Sequence, residues 1–340
     1  MKGLSLAYRK YIRKLIIFQQ SAEEPVYFRN SRATHSFSQR MSTLYTQQGA
    51  NIRKTWLLMS VFLVIVVAVG YVASYILGNS AILYGAIIFA LVTNIWSYWY
   101  SDTLVIKMTG AQPVTKEMYP VLWNVVENLS ITAGLPMPKV YVVTDPAPNA
   151  FATGRDKDHA AVAATTGILD ILNQTELEGV IAHELSHIGN RDMLVSTVAV
   201  VLAGSVAMLS HFFMRALMFG GGDREDNKAG AVLLVVGIIG IILAPIAAQL
   251  IQLAISRKRE YLADASGALL TRYPEGLASA LEKISQYSQP MIRANTATAH
   301  LFIADPFGGD KRSLKEKISA LFQTHPPTED RIRILRDMSK

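Results

Sequence analysis

Four long apolar runs constrain the fold of this chain more than any other feature. They cover residues 56–77, 81–100, 193–213 and 230–255, and each has about the 20 residues that a helix needs to cross the apolar core of a membrane. Hydrophobic residues make up 51% of the 340 residues and charged residues only 17%, which is too apolar for an ordinary soluble domain. We therefore expect a mainly α integral membrane protein with four transmembrane helices.

The four runs pair into two helical hairpins. Only Gly78–Ser80 separates the first two runs, so residues 56–100 are expected to form one tight hairpin. The second hairpin covers 193–255 and contains a glycine-rich, acidic connection at 214–229, which is typical of a solvated loop. Gly, Pro and Gln interrupt the fourth run, and a hairpin buried in a soluble core is the alternative for this region.

Positive charge is concentrated before the first run. Residues 1–55 hold ten Lys or Arg and two Glu, a net of +8, so the rest of the chain carries −1 of the total of +7. Arg53 and Lys54 precede the first run and three basic residues, 257–259, follow the fourth. The positive-inside rule places both flanks in the cytoplasm. The net positive charge of the chain therefore comes from residues 1–55, the amino-terminal arm. We expect membrane lipids but no nucleic acid as partners.

Residues 183–187 read His-Glu-Leu-Ser-His within a stretch, 175–188, that has the apolar spacing of an amphipathic helix. One helical turn separates His183 from His187, so both imidazoles lie on one face with Glu184 beside them. Neutral imidazoles are zinc ligands, and a carboxylate that does not bind the metal can accept a proton from metal-bound water. The motif predicts a zinc hydrolase; two unrelated surface histidines are the alternative.

The flanking residues support a helix at this motif. Thr175 and Glu178 have the spacing of a capping box, and Gly189–Asn190 is a typical helix end. The chain contains no cysteine, so any further metal ligand must be His, Asp or Glu.

A carboxylate suited to the third ligand position follows the second hairpin. Five residues separate His187 from the third run, and the fourth run returns to the same side of the membrane shortly before Glu260. The hairpin should therefore bring Glu260 back toward the histidines, and helical spacing places Asp264 on the same face. We expect Glu260 to bind zinc and Asp264 to orient a ligand imidazole. An exposed acidic pair is the alternative.

Together these motifs resemble the HtpX family of integral-membrane zinc metalloproteases, which are related to the CAAX prenyl proteases. The resemblance runs from Met41 to the end of the chain. It rests on four segments in order, which are residues 149–154 (Asn-Ala-Phe-Ala-Thr-Gly), 183–192, 260–264 and 325–331 (His-Pro-Pro to Arg).

The resemblance implies one zinc ion per chain, bound by His183, His187 and Glu260. It implies that Glu184 is the general base and acid of a metalloendopeptidase. Its expected substrates are misfolded or damaged membrane proteins, which it would cleave at the cytoplasmic face of a bacterial inner membrane.

Two further groups of residues take roles only through the resemblance. His325 and Arg331 are expected to stabilise the tetrahedral oxyanion. An edge strand is expected to pair with the substrate backbone, which suits a protease of broad selectivity because backbone pairing does not depend on side chains. The residues of that strand are Asn149, Ala150, Phe151 and Ala152.

The catalytic domain is expected to be discontinuous and zincin-like, an α+β unit with a small sheet. Its first part is residues 102–192, with the zinc helix, and its second part is residues 256–340, with the third ligand. Further patterns predict strands at 139–144 and 160–165, helices at 115–133, 260–270, 274–287, 313–322 and 328–338, and a loop at 288–312 that could act as a lid.

Some alternatives remain open from the sequence. Residues 1–40 fit either a basic helix on an anionic membrane surface or an extension before a start at Met41. An intramembrane protease is disfavoured because polar residues 190–192, shortly after the histidine pair, place the pair at or outside the membrane interface. A zinc-stabilised membrane scaffold or holdase without catalysis is the main alternative function. The sequence does not indicate an oligomeric state.

Overall fold

The computed structural model describes residues 34–219, 257–295, 298–308 and 326–339. Its α-helices are α1 (Thr34–Leu77), α2 (Ala81–Trp99), α3 (Ser101–Thr109), α4 (Pro120–Ala133), α5 (Thr166–Ile171), α6 (Gln174–Asn190), α7 (Asp192–Phe219), α8 (Arg257–Thr271), α9 (Pro274–Ser285) and α10 (Thr328–Met338). Its strands are β1 (Gln112–Pro113), β2 (Lys139–Val143), β3 (Ala150–Gly154) and β4 (Ala160–Thr165). The fold is mostly helical with one small sheet.

Among the described residues, two helices are long and apolar enough to cross a membrane. They are Gly49–Ile76, within α1, and α2, and they match the first predicted hairpin. Large apolar side chains such as Ile88 and Ile95 are exposed on α2, as expected for a surface that faces lipid. The one strongly polar residue of α2, Asn94, is buried and donates a hydrogen bond of 3.2 Å to the carbonyl of Met59. Asn94 therefore joins the two helices.

The second predicted hairpin is described only in part. The third run lies in α7, but the apolar segment that the structure describes, Asp192–Val206, is shorter than a membrane span. Its apolar residues, such as Val198, are buried against α1 and α2. The fourth run, 230–255, lies outside the described residues. The structure thus provides two candidate spans in its described part, and the prediction of four is not confirmed.

The sheet is mixed, with strand order β1-β2-β4-β3. β2 runs parallel to β4, while β1 and β3 pair antiparallel with their neighbours. β3 therefore lies at one end of the sheet. The predicted strands at 139–144 and 160–165 are confirmed as β2 and β4. The apolar residues on one face of this sheet share a core with α4, α6, α9 and α10, and those on the other face, such as Phe151 and Ala163, belong to a second cluster.

Several helix ends differ from the predictions. α6 begins at Gln174 because Asn173, not Thr175, is the N-cap, and Asn173 forms a capping box with Glu176. Both pairs have the required spacing, but Asn is the stronger N-cap residue. α4 begins only at Pro120, because a residue before proline is disfavoured in helical conformation. The predicted helix at 313–322 lies outside the described residues.

Two glycines allow α8 and α9 to approach α6 closely. A Cβ atom at Gly267 of α8 would lie 2.9 Å from the backbone nitrogen of His183, and one at Gly179 of α6 would lie 2.5 Å from that of Leu277 in α9. No side chain fits at either contact without a shift of the helices. The first contact brings α8, with its acidic residues, directly against the face of α6 that carries the histidines.

Candidate metal centre

Three side chains from two helices meet at one point. His183 and His187 are on α6 and Glu260 is on α8, and one potential ligand atom from each lies within 4.8 Å of the others. The two Nε2 atoms are 3.2 Å apart. The carboxylate oxygens of Glu260 lie 3.7 Å from Nε2 of His183 and 3.6 Å from Nε2 of His187. The three predicted metal ligands are therefore brought together.

These separations fit a tetrahedral metal ion. Ligand atoms that lie about 2.0–2.1 Å from zinc at tetrahedral angles are roughly 3.3 Å from one another. The two Nε2 atoms, 3.2 Å apart, lie close to that value, and the two carboxylate oxygens of Glu260 each lie near a different imidazole, Oε2 at 3.7 Å from His183 and Oε1 at 3.6 Å from His187. Two imidazoles and one carboxylate are also a donor set that zinc hydrolases use, with the fourth position left open. The residues present therefore fit a zinc ion.

A buried carboxylate lies behind His183. Oδ1 of Asp264 is 2.9 Å from Nδ1 of His183, the ring nitrogen that points away from the other two ligands. Burial lowers the pKa of His183 and outweighs the opposing effect of Asp264. Burial alone would raise the pKa of Asp264, but Arg331 and His183 outweigh it and hold that pKa at about 2. Asp264 is thus an anion in contact with the imidazole, and its role in orienting the ring remains a prediction.

A second carboxylate lies behind His187. Oδ2 of Asp192, the first residue of α7, is 3.4 Å from Nδ1 of His187. Oδ1 of Asp192 is 3.5 Å from Nε of Arg259. Burial alone would lower the pKa of His187, but Asp192, Glu260 and Glu184 outweigh it and raise the pKa to about 9. Metal binding therefore competes with a proton at this imidazole.

Glu184 is buried on α6 beside the ligands, and only 2% of its surface is exposed. Burial raises its pKa to about 7, although His187 opposes this effect; repulsion from Glu260 adds to it, and a hydrogen bond with the backbone of Ala152 opposes it. A carboxyl group with a pKa near neutrality is suited to accept and return a proton. Both the position and the pKa of Glu184 thus fit a general base.

Arg331 lies on the far side of Asp264 from the histidines. Its Nε and Nη2 atoms donate to the two carboxylate oxygens of Asp264 at 2.9 and 2.7 Å, and Nη1 donates to the carbonyl of Ile303 at 3.3 Å. The side chain is 1% exposed. These contacts make Arg331 a partner of Asp264, and its role at an oxyanion remains a prediction. His325 lies outside the described residues.

The predicted substrate strand is β3, at the end of the sheet, but its outer edge already has partners. The carbonyl of Ala150 accepts a hydrogen bond from the backbone of Ile303, and Phe151 forms an isolated bridge with Phe302. The amide of Asn149 both donates to and accepts from the backbone of Ala304. The described part of the predicted loop 288–312 therefore packs on this edge. Substrate binding by Asn149, Ala150, Phe151 and Ala152 remains a prediction.

Sequence reasoning did not find the partners of the second carboxylate. Asp192 appeared only within a motif, and Arg259 only as part of a basic cluster. Asn51 was not singled out, although it is 3% exposed and donates a hydrogen bond of 2.7 Å to Asp192. A polar residue at the start of an apolar helix was the only available signal.

Comparison with known proteins gives a consistent set of similarities. Residues 120–339 match the family model described as Peptidase family M48. The chain is 47% identical over 303 residues to a protein named Protease HtpX homolog from Caldanaerobacter subterraneus subsp. tengcongensis, over 87% of this chain and 98% of the relative. It is 48% identical over 302 residues to a protein of the same name from Dictyoglomus thermophilum, over 88% and 96%. A crystal structure of S. mikatae Ste24p aligns with a TM-score of 0.46 at 18% identity, over 98% of this chain and 83% of that chain.

Proposed function

The chain belongs to peptidase family M48, as an HtpX-type membrane metalloendopeptidase, and from this membership we propose that it uses one zinc ion to cleave misfolded or damaged membrane proteins. His183, His187 and Glu260 would bind the ion, and Glu184 would be the general base. The observation that carries the proposal is the cluster of His183, His187 and Glu260, in which one ligand atom from each residue lies within 4.8 Å of the others, next to a buried carboxyl group.

Zinc, when bound, supplies Lewis acidity, which lowers the pKa of a coordinated water and polarises a carbonyl oxygen. The chain supplies the proton transfer, because Glu184 can accept a proton from the attacking water and pass it to the leaving amine. Asp264 and Asp192 keep the two imidazoles in one orientation and one tautomer. Burial of Glu184 excludes bulk water from the carboxyl group, so that its proton is transferred at a defined position.

Substrate binding is proposed to use β3 and the residues near it. A substrate in extended conformation would pair with backbone groups in the segment Asn149–Ala152, which explains broad selectivity. Arg331 and His325 would stabilise the negative charge that develops on the substrate carbonyl oxygen. Because residues 303 and 304 contact Asn149 and Ala150, pairing along the whole segment requires these contacts to rearrange.

Four membrane spans and a cytoplasmic active site complete the proposal. The basic residues before the first span and after the fourth run support this orientation. With an even number of spans, both parts of the catalytic domain lie on the same side. The proposed location is the bacterial inner membrane, with lipids as partners.

The general-base role is tested with Glu184→Gln in the full-length protein in detergent. We expect the variant to retain bound zinc and to cleave an unfolded protein such as casein about 10²–10⁴-fold more slowly. His187→Ala should lose both zinc and cleavage. Glu178→Gln is the matched control, because it makes the same change on the same helix away from the ligands, and it should behave as wild type.

The outcome also separates the enzyme from the scaffold alternative. A wild-type protein that binds zinc but shows no chelator-sensitive cleavage would support a scaffold or holdase. Full activity of Glu184→Gln would exclude the proposed mechanism.

The orientation is tested with single cysteines, since the natural chain has none. Lys157, between β3 and β4, and Ser80, between α1 and α2, are both exposed. In inverted inner-membrane vesicles an impermeant maleimide should label Lys157→Cys, whereas in spheroplasts it should label Ser80→Cys. The reverse pattern would place the active site outside the cytoplasm.

A further inference from the structure

A buried amide on the first membrane helix contacts the chain directly after the metal-binding helix. Nδ2 of Asn51 donates to the carbonyl of Asn190 at 3.3 Å and to Oδ1 of Asp192 at 2.7 Å. Asn51 is 3% exposed, and it lies 139 and 141 positions from its two partners. The contact is therefore a product of tertiary packing.

The two partners of Asn51 lie on either side of a sharp change in chain direction. α6 ends at Asn190, Arg191 has a left-handed conformation with φ of 55°, and α7 begins at Asp192. Carbonyl groups in the last turn of a helix have no partner within the helix, and Asn51 supplies one to Asn190. Both N–H groups of the amide are thus used to hold this junction.

The junction also holds a metal ligand. Asp192 presents one oxygen to His187 at 3.4 Å, while its other oxygen faces Asn51 at 2.7 Å and Arg259 at 3.5 Å. A carboxylate behind a ligand imidazole sets the orientation of the ring. The position of this carboxylate is in turn set by the shorter of its contacts, which is the one with Asn51.

We propose that Asn51 is a positioning residue for His187, acting through Asp192, and that it couples the first membrane helix to the metal centre. The inference rests on the proposed function, since it takes His187 as a metal ligand. Asn51 does not contact the substrate or the metal. Its effect is to keep the Asp192 carboxylate within reach of the imidazole.

The test is Asn51→Leu, which keeps the approximate volume of the side chain and removes both donors. Asn94→Leu is the matched control, because Asn94 is a buried amide in the same hairpin whose Nδ2 atom donates to the carbonyl of Met59, within the hairpin itself. Both full-length variants are purified in detergent. Zinc affinity is measured by competition with a chelator, and thermal unfolding is measured on the metal-free protein.

Asn51→Leu should bind zinc about 10-fold more weakly than wild type, the lower end of the effect known for residues behind metal ligands. Its metal-free melting temperature should match that of Asn94→Leu, whose zinc affinity should stay close to the wild-type value. A purely structural role would lower the melting temperature of Asn51→Leu and leave its zinc affinity equal to that of Asn94→Leu, and this result would overturn the inference.

A charge exchange provides a second test. Asn51→Asp alone places two carboxylates against each other and should weaken zinc binding further. Combined with Asp192→Asn, it restores one donor and one acceptor, so the loss of zinc affinity in the double variant should be smaller than the sum of the losses in the two single variants. Losses that simply add would count against the direct contact.

The result distinguishes this inference from the proposed function. If His187→Ala binds zinc as tightly as wild type, the proposed metal centre is wrong. If His187→Ala loses zinc while Asn51→Leu keeps wild-type affinity, only the role of Asn51 is wrong.

Discussion

The two ligand histidines of α6 are supported by the same kind of partner but in different surroundings. His183 has Asp264 at 2.9 Å, and Asp264 is held by two hydrogen bonds from Arg331. His187 has Asp192 at 3.4 Å, and the guanidinium of Arg259 lies 3.5 Å from Asp192. Each imidazole thus has a carboxylate behind it and an arginine behind the carboxylate, but the His183 side is tighter.

The difference follows from the elements that build each side. The His183 side uses α6, α8 and α10, which share the core of the catalytic domain. The His187 side is built at the junction of α6 and α7, where the first membrane helix supplies Asn51. One ligand is therefore held by the catalytic domain alone, whereas the other depends on how that domain sits on the membrane helices.

The largest expected effect is on stability and concerns the two arginines. Arg331→Met leaves the buried Asp264 without its cation and should destabilise the metal-free protein by about 3–5 kcal/mol. Arg259→Met should cost less, because Asp192 keeps its hydrogen bond from Asn51. Denaturant unfolding of the purified variants in detergent measures both losses. Equal losses of stability would contradict the inference that the His183 side is held more tightly than the His187 side.

A smaller effect is expected on metal binding when each carboxylate is changed to its amide. Asp264→Asn and Asp192→Asn should weaken zinc binding by about 10–100-fold, with the larger loss for Asp264→Asn because its contact with the imidazole is shorter. Chelator competition on folded protein gives the two affinities. A larger loss for Asp192→Asn would mean that the α6–α7 junction contributes more to zinc affinity than the core of the catalytic domain does.

Local features of the chain could be predicted because they depend on near neighbours in sequence. The helix around His183, the strands β2 and β4, and the helix at 328–338 all followed from periodicity and composition, and the structure confirms them. The predicted capping box, Thr175 with Glu178, was wrong, because the helix uses Asn173 with Glu176 instead. Both Asn173 and Thr175 have an acidic residue three positions later. The spacing alone does not distinguish the two pairs, although the stronger N-cap preference of Asn favours Asn173.

Other features could be predicted only in part. The proximity of Glu260 to the histidines followed from an argument about a membrane hairpin, and the structure brings the three residues together, although the fourth run lies outside the described residues. The packing of residues 302–304 on β3 had no signal in the sequence, because backbone pairing between distant segments does not require particular side chains.

The sequence by itself determined that a pair of histidines lies one helical turn apart, next to a glutamate. It also determined that the chain is too apolar for an ordinary soluble protein. This information is local, because helix geometry converts a spacing of four residues into a shared face. Tertiary structure decided which groups support that pair. Arg331 and Asn51 lie 148 and 132 positions from His183, and they reach the site because close packing of α8 on α6, and of α1 against the α6–α7 junction, brings together residues that no local spacing relates.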